Sequence, residues 1–169
     1  MKKFELTSET KINIFGKKLF RIKALVSFGV VKTGETGGWV EKEENVNQSG
    51  DAWVFDNAEV FDNARVFGNA EVSGNARVFG NAWVFGNAWV SGNARVFGNA
   101  EVSDNAWVSG NAEVSDNADY ATIHGFGTQF RTTTFFRCKD KQVKVSCGCF
   151  YGTIPEFCEQ VKNTRKGKI

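Results

Sequence analysis

The chain has 169 residues and a formal net charge of +2, with 41% hydrophobic and 24% charged residues, a length suited to one globular unit or to a solenoid with two small caps. It contains no long apolar run, which argues against a membrane span, and its first fifteen residues are charged and alternating, without a signal-peptide core. Action in the cytoplasm is therefore expected, with the four cysteines reduced.

Residues 1–49 read as a β-rich N-terminal cap. Phe4, Leu6, Ile12, Ile14, Leu19, Ile22, Leu25 and Val26 suggest short strands broken near Gly16. Gly37-Gly38-Trp39-Val40 predicts the start of a first, irregular coil, because Val40 and Val46 are six residues apart.

From Gly50 to Ala121 the chain is a six-residue repeat: GDAWVF, DNAEVF, DNARVF, and so on through DNADYA, twelve hexads without an insertion or deletion. A short fixed period is the mark of a solenoid whose units bury their apolar faces only by stacking. Ala and Val, two apart as in Ala58 and Val60, lie on one face of a short strand. Between them stands Trp, Glu, Arg or Asp, so the Ala–Val face is the interior and is narrow and solid. Gly-Asn or Asp-Asn forms each corner, with Asn read as the residue that tolerates a left-handed backbone. The pattern resembles the hexapeptide signature of left-handed β-helices. That resemblance implies a left-handed parallel β-helix with three hexads per coil, hence about four coils.

Residues eighteen apart then stack in columns. Trp53, Glu71, Trp89 and Trp107 form one; Glu59, Arg77, Arg95 and Glu113 a second; Arg65, Trp83, Glu101 and Asp119 a third. Phe61, Phe79 and Phe97 lie on the same face as the column of Glu59, Arg77, Arg95 and Glu113. Such aromatic surface exceeds what scattered surface residues supply and predicts an interface at Trp53, Trp83, Trp89, Trp107, Phe61, Phe79 and Phe97. The alternative is that stacked rings only stabilise adjacent coils. Arg77 and Arg95 lie one coil apart, which points either to neutralisation by Glu59 and Glu113 or to an anion or ligand site. The family likeness implies a homotrimer; a dimer stays open.

Residues 122–169 read as a small C-terminal domain. Arg131–Arg137 and Val143–Cys147 predict a hairpin around Lys139-Asp140-Lys141-Gln142, and Thr153-Ile154-Pro155-Glu156 opens a helix with a capping box. Cys158 is placed on its apolar face. Cys138, Cys147, Cys149 and Cys158 lack the paired spacing of a zinc site and read as buried thiols, so no metal or cofactor is expected. The one histidine, His124, lies outside the repeats, where acyltransferases of the β-helix class would need a base. Charge is uneven: residues 1–49 carry net +3, residues 50–121 net −7 and residues 122–169 net +6. That balance predicts complementarity within or between subunits, or else a basic surface for nucleic acid or a nucleotide.

Three features together resemble proteins encoded by phages and prophages. They are Phe4-Glu5-Leu6-Thr7 with Gly37-Gly38-Trp39-Val40-Glu41, the GNA-x-V array, and Thr132-Thr133-Thr134-Phe135-Phe136 with Cys147-Gly148-Cys149-Phe150. The resemblance implies a viral origin and action in the host cytoplasm. With no catalytic constellation in the repeats, the reading is a non-enzymatic binding protein, a counter-defence inhibitor that occludes a host protein. A nucleotide-sequestering sponge, an acyltransferase and a virion or scaffold component are the alternatives.

Overall fold

A hexad cannot bury its Ala and Val alone, so each must lie on another. The computed structural model, which describes residues 2–126 and 129–166, shows how this is done. Eleven two-residue strands, from Trp53–Val54 to Glu113–Val114, form three parallel sheets that wrap a solenoid of about four turns. Every Ala and Val from Ala52 to Val114 is at most 1% exposed. Backbone bonds run from coil to coil, as in Trp53 N–H to Ala70 O at 3.1 Å and Glu59 N–H to Ala76 O at 2.9 Å.

The corners differ from expectation in one respect. From Gly50 to Gly110 the left-handed residue is the first of each corner pair, such as Asp62 at φ 58° and Gly68 at φ 70°, not the Asn. Gly suits that position twice over, since a Cβ on Gly92 would lie 2.9 Å from the Gly110 amide one coil on. The Asn side chains instead bond each other along the axis: Asn63 Nδ2 donates to Asn81 Oδ1 at 3.2 Å, and Asn81 to Asn99 at 3.2 Å.

The twelfth hexad leaves the solenoid. Tyr120 stands where Val would, and a phenol does not fit the narrow interior. The chain makes a short 3₁₀ turn at Asn117–Asp119 and starts a new strand at Tyr120.

Strands β1 (Phe4–Ile12) and β2 (Lys18–Ala24) pair antiparallel, and β3 (Thr36–Val40) joins β2 antiparallel and Glu59–Val60 parallel. Val46 bridges Val66. The stretch from Val40 onward is thus the irregular first coil that the six-residue spacing predicted. Phe4, Ile22, Ala24 and Val31 close the core at this end.

The C-terminal domain holds the predicted hairpin and helix, with two strands more. After the eleven repeat strands, numbered β4 to β14, come β15 (Tyr120–Phe126), β16 (Arg131–Arg137), β17 (Val143–Cys147) and β18 (Phe150–Thr153) in one antiparallel sheet, followed by α1 (Ile154–Lys166). The capping box forms: Glu156 Oε2 accepts from Thr153 N–H at 2.6 Å and from its hydroxyl at 2.8 Å. β16 lies across the last coil, where Phe136 and Cys138 complete the core. Cys158 is exposed, as is Cys149; only Cys138 and Cys147 are buried. Among the described residues no helix is long and apolar enough to cross a membrane. Lys168, counted in the basic tail, lies outside the described residues.

Candidate functional site

The outward residue between Ala and Val, and the residue after Val, project from the same face of each coil. Three faces result, and the two caps treat them differently.

The first face carries Glu59, Arg77, Arg95 and Glu113 in one register. Each arginine is neutralised by a carboxylate one coil away: Arg77 Nε lies 3.2 Å from Glu59 Oε2, and Arg95 NH1 lies 2.8 Å from Glu113 Oε1. Lys11 also reaches Glu59, at 2.8 Å. The column is therefore charge-balanced internally, with Arg95 lying 5.5 Å from the Phe79 ring centroid and 5.3 Å from that of Phe97. Phe61, Phe79 and Phe97 stack at 5.0 and 5.1 Å, and Phe15 from the β1–β2 turn covers the first two. Phe61 is 1% exposed, so it is not available to a partner, contrary to expectation; Phe79 and Phe97 are half-buried.

The second face carries Trp53, Glu71, Trp89 and Trp107. Trp53 also departs from expectation: the cap folds Phe4 and Phe28 edge-on against it, at 5.8 and 5.3 Å, and it is fully buried. Trp89 and Trp107 stack at 4.9 Å with their planes 8° apart. Trp89 is 40% exposed and Trp107 half-buried. Each indole N–H donates to a serine of the preceding coil, Trp89 to Ser73 at 3.0 Å and Trp107 to Ser91 at 3.5 Å. The sequence places Ser73 and Ser91 on this face, sixteen residues before Trp89 and Trp107, but the bond itself appears only in the fold.

The third face carries Arg65, Trp83 and Glu101, with Phe67, Phe85 and Ser103 beside them. Phe67 and Phe85 stack at 4.9 Å, and Phe67 meets Trp83 edge-on at 5.9 Å. Arg65 and Glu101 are exposed and lie two rungs apart with Trp83 between them. Among the described residues neither has an ion pair. The predicted fourth member, Asp119, is not in this column: it is buried by the departing chain and paired with Arg137 at 3.0 Å. Burial pushes its carboxyl up, but hydrogen bonds from the Ser115 amide and hydroxyl and the Arg137 charge outweigh that and hold it below the usual range.

Burying one valine is worth roughly 1.5–3 kcal/mol, whereas a stacked ring pair adds about 0.5–1.5 kcal/mol. The Ala–Val core holds the prism together, so the outward rings are not needed in this number for stability. His124, on β15, is exposed and lies with Nδ1 3.1 Å from Thr132 Oγ1.

A family model for the YdcK beta solenoid repeat matches residues 70–86, about one coil of this chain. No curated protein matches the chain.

Proposed function

We propose that this protein is a non-enzymatic binding protein whose partner surface is the second face, centred on Trp89 and Trp107. The observation that carries this reading is a stacked indole pair, Trp89 exposed and Trp107 half-buried, held by serines on a parallel sheet. Stacking and the N–H bonds fix both side chains before any partner arrives, so little conformational entropy is lost on contact. Tryptophan is the residue most enriched at binding hot spots. Glu71 and the serine column supply a polar rim.

Each ring covers one side of the other, so the pair offers less open indole face than two separate rings would. That favours a protein surface with an apolar hollow over a flat ring or sugar that would need an open indole face. In the form suggested by the resemblance to phage proteins, the partner is a host protein and binding occludes it. The arginine column is already matched by carboxylates and gives nucleotide capture less support.

The test is capture from bacterial lysate by the wild type and by the Trp89→Ser, Trp107→Ser double variant. A defined protein retained by the first and lost by the second is expected. Recovery of nothing above background, or equal recovery by both, overturns the reading.

A further inference from the structure

The third face has a property the other two lack. Its charges are opposite in sign, equidistant from an exposed tryptophan and, among the described residues, without an ion pair. Arg65 lies one rung before Trp83 and Glu101 one rung after, at about 4.8 Å per rung. On the first face each arginine has its carboxylate on the next rung; here Trp83 separates the two and keeps them apart. Trp83 is 41% exposed, and the two caps meet this face at its ends, where Asn45 bonds Ala64 O beside Arg65 and Asn117 bonds the Glu101 amide.

A column ordered plus, ring, minus is complementary to itself when reversed. We propose that this face is the contact between two copies of the chain, related by a twofold axis at Trp83 that lies in the interface and perpendicular to the solenoid axis. The two solenoids then run antiparallel. Arg65 of each copy meets Glu101 of the other, Trp83 meets its own equivalent, and both ion pairs form at once. The neighbouring column obeys the same symmetry: Phe67 falls opposite the small Ser103 of the other copy, and Phe85 opposite Phe85. A parallel arrangement would set Arg65 against Arg65 and Glu101 against Glu101, which is repulsive.

The patch spans only three rungs, so the dimer is reversible and concentration-dependent, and salt weakens it because the ion pairs sit at a solvent-accessible rim. It uses a different face from the partner surface proposed above, so the two readings fail separately: changes at Trp89 and Trp107 leave the dimer intact.

Sedimentation velocity over a wide concentration series tests this, with circular dichroism to confirm that each variant is folded. The wild type is expected as a monomer–dimer equilibrium. Arg65→Glu or Glu101→Arg alone should weaken the dimer roughly tenfold or more. The double exchange, Arg65→Glu with Glu101→Arg, should restore it, and mixing the two single variants should give a heterodimer. Trp83→Ser should abolish association and serves as a second probe independent of charge. A wild type that is monomeric throughout, a trimer, or a dimer indifferent to these changes would overturn the proposal.

Discussion

At the scale of single residues, the ends of the solenoid show how an interrupted backbone ladder is completed. In the middle of the array an alanine carbonyl accepts from the coil before it. For Ala52 and Ala64 the first coil supplies no such amide, and side chains replace it: Lys3 Nζ donates to Ala52 O at 2.9 Å and Asn45 Nδ2 to Ala64 O at 2.9 Å. At the other end, Thr134 Oγ1 accepts from Trp107 N–H at 2.9 Å and Asn117 Oδ1 from Glu101 N–H at 2.8 Å. Lys3 bears a cost for its place. Burial lowers its pKa from 10.5 to about 8, against the opposing pull of Asp51. Between those values the unfolded chain holds the proton and the folded chain does not. Stability from this group therefore rises with pH from about 8 to 10.5, and the penalty is felt in full below about 8. Thermal melts should show the wild type gaining on a Lys3→Met variant across that window; a constant difference between them would refute the assignment.

At the scale of elements, β3 is where two kinds of sheet meet. It takes an antiparallel neighbour on one side and a parallel one on the other, and its two glycines let that happen. A Cβ on Gly38 would lie 2.5 Å from Val54 Cγ1 and 2.8 Å from the Ala58 carbonyl, and one on Gly37 would lie 2.6 Å from Trp53 Cζ2. The backbone oxygen cannot swing aside. Gly38→Ala should therefore cost about 1–3 kcal/mol or more, seen as a lower denaturation midpoint with an unchanged slope. The repeat strands were legible in the sequence because the Ala–Val alternation is itself the physical cause of the core. The helix was legible for a similar reason, since Thr153 and Glu156 perform their capping locally. Strand β15 was not, because Asp116-Asn117-Ala118 copies the repeat and only Tyr120 betrays the exit. Nor could the hexad around Trp53 be told from that around Trp89: both read Ala-Trp-Val, and what distinguishes them is Phe4 and Phe28, far away in the chain. Phe61 is covered in the same way, by Phe15, which is remote from it in the chain. Coverage of a ladder is a tertiary property, so the burial of Trp53 and Phe61, two of the seven candidate interface residues, is set by distant parts of the chain.

At the scale of the whole molecule, an acidic prism is held between two basic ends. The caps prevent the open rungs from templating another chain. Deleting residues 1–35 would bare Trp53 and Phe61 and remove Lys3, the donor to Ala52 O. Light scattering should then show polydisperse, growing particles in place of a discrete species, and a truncated chain that stays discrete would show that the cap is dispensable. The column structure has a further consequence for how such a gene can change length. Gain or loss of a single hexad by slippage leaves Ala and Val pointing inward, so the product still folds. It also turns everything downstream by a third of a revolution, carrying the C-terminal sheet to a different face and breaking every column into mismatched halves. Gain or loss of three hexads preserves each column, as the pairing of Trp89 with Trp107 illustrates. The core reads the chain in sixes, whereas the surface reads it in eighteens, and heredity of a binding face is confined to the longer step.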